Sequence, residues 1–305
     1  MVRPAPAATR ALEVLDFFAA HPNDSFNLSE LSRTLEISAA SLLAILQSLT
    51  DSGYLTRHAR HKTYRLGPKA IAIGHAALDA HPVVDWARNE MPDLAKDLGA
   101  EVVATTAAGE FIIVLATVGR PRLEATNLRV GQQIPFIPPI GLVFLAWADE
   151  PEIRGWEERL LSTHHRPSAS HLQGGLAATR HRGYSVGLAT PERAALGRSL
   201  RRLADRPKDV EERDAVAKMV SELGDVYELL DVDPGVVYPV ANIAAPVFGP
   251  AGDVVLALTV DGLGPLDAGG IASCAERITG MTRLLTKRNG GREPDSYGRG
   301  PTGER

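Results

Sequence analysis

Apolar residues recur at helical spacing through the first fifty positions, and from about residue 100 the pattern changes to the short apolar runs of strands. Ala11, Leu12, Leu15, Phe18 and Ala19 predict a helix over 7–20, which His21-Pro22-Asn23-Asp24 breaks. A second helix opens at Asn27-x-x-Glu30, where the Asn side chain takes a free backbone N–H and the Glu reaches back, as in a capping box. Leu28, Leu31 and Leu35 then share one face. After the turn Leu35-Glu36-Ile37, Ser38 is placed to cap a third helix. Its Leu42, Ile45, Leu46 and Leu49 recur at i, i+3, i+4 and i+7, the buried stripe of an amphipathic helix. Gly53 ends it, as a residue that tolerates positive φ. Tyr54-Leu55-Thr56 and Thr63-Tyr64-Arg65-Leu66 flank a basic turn over 57–62, which predicts a hairpin. Three helices and a basic hairpin make a winged helix-turn-helix, whose second motif helix enters the DNA major groove.

Pro68–Ala80 predicts a linker helix, His81-Pro82 interrupts it, and a further helix runs to Leu98 before Gly99. Glu101–Ala107 and Phe111–Val118 around Ala108-Gly109-Glu110 predict a hairpin, with a third strand over Leu123–Leu128. Pro135–Gly141 reads as a stiff loop leading into an apolar helix, Leu142–Ala148. Helices are expected over Glu152–Leu161, Ser170–His181, Ala194–Arg206, Val210–Leu230 and Ala268–Lys287, and strands over Tyr184–Leu188, Val236–Phe248 and Val254–Asp261. Strands alternating with helices also suit a parallel doubly wound sheet. The hairpin-like pairs, and the lack of a Gly-rich phosphate loop, favour an α+β domain with an antiparallel sheet. The expected domains are 1–67 (winged helix-turn-helix), 68–82 (linker helix), 83–288 (effector-binding domain with a charged helical insert at about 193–233) and 289–305 (a disordered tail without an apolar anchor).

Composition narrows the class. In 305 residues, 44% are hydrophobic and 23% charged, which excludes general disorder. One cysteine, Cys274, excludes an internal disulfide framework and fits a reducing cytoplasm, and as a helix residue it reads as core rather than nucleophile. No apolar run reaches membrane-spanning length and no signal-peptide core is present, so a cytoplasmic protein is expected. The net charge of −4 is unevenly spread: residues 1–75 hold eight Lys/Arg against six Asp/Glu, or +2, leaving −6 for the remainder. No nucleophile elbow, phosphate-binding loop or zinc-protease helix occurs, and no cofactor is implied; an enzyme is not expected. His164, His165 and His171 are the one group of metal-ligating type, without a carboxylate or Cys at ligand spacing.

The order of parts resembles the IclR family of bacterial transcriptional regulators. The resemblance is carried by ATRALEVLDFF, LSELSRTLEIS, LLAILQSLTDSGYL, TYRLGPKAIAIG, VGQQIPFIPPIGLVFLA, TRHRGYSVGL and NIAAPVFGPAGDVVLALTVDG, in the family's order over roughly 7–288. It implies a winged helix-turn-helix joined by a linker helix to an effector domain of GAF-like fold. It also implies a homodimer or homotetramer that binds double-stranded operator DNA and responds to a small, often aromatic or carboxylic, metabolite. Three departures stand out. The family's recognition helix carries an Arg near Ala44, the family's Glu-Glu after the GY strand is reduced to Pro191-Glu192, and 193–233 is longer than usual.

Two sets of site residues follow. For DNA they are Ser38, Ala40, Ser41, Ala44, Gln47 and Ser48 on the recognition helix and Arg57, Arg60, His61 and Lys62 on the wing. Gln47 and Ser48 have the donors and acceptors to meet base edges, and the wing has the charge to meet phosphates. The bland alternative for both is a solvated surface. For the effector, the positions matching family contacts are Pro139, Ile140, Asn242, Thr259 and Asp261, with Gly187 or Leu188 where the family has an acidic contact. Alternation puts Ala257, Thr259 and Asp261 on one face. Satisfied polar groups in a sheet are the alternative there. The missing Arg at Ala44 also leaves room for a ligand sensor with weakened DNA recognition that acts through a protein partner.

Overall fold

In the computed structural model, which describes residues 5–121, 128–159, 169–206, 209–223 and 227–298, the chain starts with α1 (Pro6–Ala20), β1 (Phe26–Asn27), α2 (Leu28–Leu35) and α3 (Ala39–Asp51). The strands β2 (Leu55–Arg57) and β3 (Thr63–Leu66) follow. The capping box forms as expected: Asn27 Oδ1 accepts from Ser29 N–H at 2.9 Å and Glu30 N–H at 3.0 Å, while Glu30 accepts from Asn27 N–H at 2.7 Å. Glu36 takes a left-handed conformation (φ 52°) in the turn, and Ser38 caps α3 through the Ser41 N–H. Gly53 has φ +78°. The buried faces of the three helices, with Leu55 and Tyr64, close one core that includes Val14, Phe18, Leu31, Leu42 and Leu46. The sheet has a third strand that the pattern did not reveal. Phe26 pairs with Tyr64 and Asn27 with Thr63, giving the order β1-β3-β2. Two residues are too few to carry a period.

The linker helix α4 (Pro68–Ala80) leads to α5 (Pro82–Leu98) and then to a six-stranded antiparallel sheet. Its strands are β4 (Glu101–Ala108), β5 (Phe111–Val118), β6 (Gln133–Pro135), β7 (Ser185–Leu188), β8 (Tyr238–Phe248) and β9 (Val254–Leu266), in the order β6-β5-β4-β9-β8-β7. Alternation sorts the side chains into two cores. Val102, Ala104, Val240 and Val260 face Met91 of α5 and Ile278 and Leu285 of α11 (Ala268–Arg288). Val103, Val114, Ala244 and Ala257 face the other way, onto α6 (Leu142–Leu145), α7 (Glu150–Glu158), α8 (Ala169–Arg182), α9 (Pro191–Asp205) and α10 (Val210–Glu222). The antiparallel reading therefore holds over the doubly wound one. No helix among the described residues is long and apolar enough to cross a membrane.

Several expected boundaries shift. The apolar helix after the Pro-rich loop stops at Leu145, because Asp149 is needed in extended backbone to cap α7 through the Glu152 N–H. Val210–Leu230 is not one helix. It ends at Glu222, and Glu228 instead forms a bridge with Gly187 at the sheet edge, accepting from Val186 N–H at 2.7 Å. The tail is not disordered over 289–298. Arg292 N–H bonds Gly249 O at 3.1 Å, and the buried Tyr297 ring packs 5.2 Å from Phe248 and 5.4 Å from Trp147. Tyr297 is the apolar anchor that the glycine- and charge-rich composition concealed. The expected strand at 123–128, apart from Leu128, and the pair His164-His165 lie outside the described residues.

Candidate functional site

The outward face of α3 presents Ala40, Ala44, Gln47 and Ser48, all exposed, with Ser41 half-buried beside the cap residue Ser38. Leu43, 48% exposed, joins that face, outside the expected set. A leucine there suits a thymine methyl in a major groove. Both polar tips are occupied. Gln47 Nε2 donates to Asp51 at 2.7 Å, and Ser48 Oγ donates to the Ala44 carbonyl at 3.0 Å. The face carries no cation. The wing does: Arg57, Arg60, His61, Lys62 and Arg65 are all exposed around its tip. The turn is held by His58, whose Nδ1 accepts from the Arg60 and His61 N–H groups at 3.2 Å, and Lys62 adopts φ 55°.

On the inner face of the larger sheet lies a cavity of about 130 Å³. An apolar cavity of roughly 150 Å³ holds a benzene ring, so the space is of single-ring size. Ile140, Asn242, Thr259 and Asp261 line it. Four of the five expected effector positions therefore meet at one place; Pro139 is buried behind Ile140 and is not in the lining. The walls are apolar at one end, with Ile112, Ile134 and Phe144, and polar at the other. Three polar residues were missed because their elements come from the long segment after β7: Arg193 from α9, and Tyr227 and Glu228 from the chain beyond α10. Gly187 makes room for them. A Cβ there would sit 2.4 Å from Arg193 Nη1 and 2.6 Å from Asn242 Oδ1. An acidic residue does lie beside positions 187 and 188: Glu228, the bridge partner of Gly187, is in the cavity lining.

Residues 7–59 match the IclR helix-turn-helix domain. The chain is 25% identical over 182 residues, 58% of its length and 72% of the relative's, to the HTH-type transcriptional regulator XynR of Escherichia coli (strain K12). It is 28% identical over 147 residues to the Pca regulon regulatory protein of Pseudomonas putida, covering 48% of this chain and 50% of that one. Residues 7–59 are thus an IclR-type helix-turn-helix, and the chain is similar to IclR-family regulators over the lengths given. Its fold is that of the IclR transcriptional regulator from Alicyclobacillus acidocaldarius (TM-score 0.63, 18% identity, 94% and 100% of the two chains). It is also that of an IclR homolog from Microbacterium hydrocarbonoxydans complexed with 4-hydroxybenzoate (TM-score 0.60, 17% identity, 93% and 98%). The chain is thus a transcriptional regulator with a DNA-binding helix-turn-helix.

Two buried carboxyls, Glu228 in the cavity lining and Glu101 beside it, are pushed above the usual carboxylate range. Burial pushes Glu228 up to about 8, against the opposing pull of Arg182, whose Nη2 lies 3.3 Å from Glu228 Oε1. Glu101 pairs with Asp261 across β4 and β9; burial first, and the Asp261 charge second, raise it from 4.5 to about 7. Between those values the folded chain keeps a proton that the unfolded chain releases, so this group's contribution to stability falls as pH rises through the window. Glu101→Gln is expected to match the parent near pH 4.5 and to exceed it in urea unfolding by on the order of 2–3 kcal/mol at pH 8. Equal stabilities at pH 8 would contradict this.

Proposed function

We propose that this regulator's affinity for operator DNA is set by a small molecule seated in the cavity on the inner face of the sheet. The observation that carries the reading is the cavity itself: single-ring size, apolar at one end, polar at the other, and walled by the residues that match the family's effector positions. An aromatic or carboxylic metabolite fits that lining, and 4-hydroxybenzoate in a regulator of the same fold is in keeping with it. The DNA-binding unit spans 1–67 and the effector domain 83–288, with 68–82 between them. Ser38, Ala40, Ser41, Ala44, Gln47 and Ser48 form the groove-facing surface, and Arg57, Arg60, His61 and Lys62 the phosphate-facing one. The working form is a dimer or a pair of dimers. Helix α4 supports this: it has no buried residue, and Ile71 is 65% and Ile73 45% exposed, an apolar face for a second copy. The role is regulatory rather than catalytic.

The test is a fluorescence titration on the DNA upstream of the protein's own gene, with sedimentation of the complex. Two chains per site, and binding at least about 1,000-fold tighter than to random DNA at physiological salt, are expected. Binding no tighter than to random DNA overturns the reading. The occupied tips of Gln47 and Ser48 favour a second reading, a ligand sensor with weakened DNA recognition that works through a protein partner. Unchanged operator affinity in a Gln47→Ala, Ser48→Ala double variant would support that alternative.

A further inference from the structure

Helix α9 touches two things. Arg193, Leu196, Gly197 and Leu200, on its first three turns, line the cavity. Its last residue, Asp205, lies on a different surface, 12 residues further on, or roughly 18 Å along a helix. There Asp205 Oδ1 accepts from Arg129 Nη1 at 2.9 Å and lies 3.1 Å from His21 Nε2. His21 is the residue that caps α1 of the DNA-binding unit. Its ring is buried, stacked 4.3 Å from Phe17, with Nδ1 2.7 Å from the Phe17 carbonyl. Both ring nitrogens face oxygen atoms, one on α1 and one on α9. A second cavity segment ends at the same place. Leu128 lines the cavity, its neighbour Arg129 holds Asp205, and a Cβ on Gly131 would sit 3.2 Å from the Ala19 Cβ in the last turn of α1.

The other end of α9 is chemically incomplete. Arg193 Nη1 is buried and has no hydrogen-bond acceptor among the described residues. The guanidinium lies 4.4 Å from the Tyr227 ring centroid, over Gly187 and beside Asn242 Oδ1. Glu228 does not complete it, being taken up by Arg182 and the Val186 N–H. A half-buried guanidinium whose Nη1 has an unmet donor in the lining of a largely apolar cavity selects an anion, and a carboxylate fits its fork. The apolar far wall then selects a ring or short chain on that carboxylate.

We propose that α9 is a two-ended sensor, in which Arg193 takes the acid group of a small organic anion in the cavity and Asp205 carries the resulting movement of the helix to His21 and the DNA-binding unit. This rests on the reading of the cavity as the effector site. It adds the class of ligand, the residue that selects it and a route to the DNA-binding unit within one chain.

The experiment uses the full-length protein without DNA, so its failure is distinct from a failure of operator binding. Benzoate and its neutral counterpart benzamide serve as probes. In calorimetry, benzoate binds at least about tenfold tighter than benzamide, and Arg193→Gln removes that preference while leaving benzamide unchanged. Equal affinities, no benzoate binding, or a preference that survives Arg193→Gln overturns the acid site. Asp205 is exposed and outside the cavity, so Asp205→Asn binds benzoate with parental affinity. In hydrogen exchange, benzoate changes the rates of peptides covering 14–21 by about threefold or more in the parent, and this response is lost in Asp205→Asn. No response in the parent, or the same response in the variant, overturns the coupling.

Discussion

Replacing Arg57, Arg60 and Lys62 together by alanine is expected to lower operator affinity by about 100-fold or more near 0.1 M salt, and to lower the salt slope by close to three. The reasoning starts from α3. Its outward residues are Ala40, Leu43, Ala44, Gln47 and Ser48, and the nearest charge is the carboxylate of Asp51, already bonded to Gln47. A face with no cation cannot neutralise phosphates, and phosphate contacts supply much of the affinity of a DNA-binding protein. The densest group of exposed cations near α3 is on the β2–β3 tip, where His58 fixes the turn and the hydrogen bond from Lys62 N–H to His58 O closes it. Arg60 and Lys62 are exposed, and Arg57 meets the core only where its guanidinium lies 5.8 Å from the Tyr64 ring, so the variant is expected to fold with a small loss of stability. The loss is expected on operator and random DNA alike, because phosphate contacts position the protein and carry no sequence information. Gln47→Ala is expected to be much milder, since the gain of a base contact is offset by breaking the bond to Asp51. A wing variant with an unchanged salt slope would move the wing off the phosphates.

The regular parts of the fold were legible because their signals are local. The Asn27–Glu30 box, the Ser38 cap, the i, i+3, i+4, i+7 stripe of α3 and the glycines at positive φ each announce themselves within a few residues. The antiparallel sheet followed from hairpin spacing. What was not legible depends on distant partners. β1 exists only because Tyr64 and Thr63 lie beside Phe26 and Asn27. The 289–298 segment is ordered by Tyr297 meeting Phe248 and Trp147, contacts that its own composition does not reveal. The cavity shows the same division. Ile140, Asn242, Thr259 and Asp261 were placed by the resemblance to the family's contact positions, with alternation in agreement for Thr259 and Asp261. Arg193, Tyr227 and Glu228 come from the charged helical insert, where composition does not tell which residues turn inward. Burial turned those charges inward, and the signal that marked the position in advance was Gly187, too small for anything else to stand over Arg193.

Trp156→Ala is expected to be the most destabilising single change in the effector domain, by about 3–5 kcal/mol. Trp156 is fully buried in the inner core, beside Phe136 and under the cavity wall. It does two jobs. Its ring fills the space between α7 and the Pro-rich loop, and its Nε1–H donates to the Ile140 carbonyl at 3.2 Å. Ile140 is itself a cavity residue, so the same hydrogen bond holds one wall of the site in place. Trp156→Phe separates the two jobs. It keeps most of the ring volume and leaves the Ile140 carbonyl without its donor, at a cost of about 1–3 kcal/mol. By calorimetry, a domain of this size loses roughly 2–4 °C of melting temperature per kcal/mol, so the alanine variant is expected to fall by about 10 °C or more and the phenylalanine variant by a few degrees. The DNA-binding core around Phe18, Leu31, Leu42 and Leu46 contains no residue from this region, and random-DNA binding is expected to survive in both variants below their transitions. Ligand binding is expected to weaken in Trp156→Phe out of proportion to its stability, because the missing bond frees the cavity wall rather than the core. If the phenylalanine variant binds ligand as the parent does, Ile140 is held by packing alone and the indole N–H contributes nothing to the shape of the site.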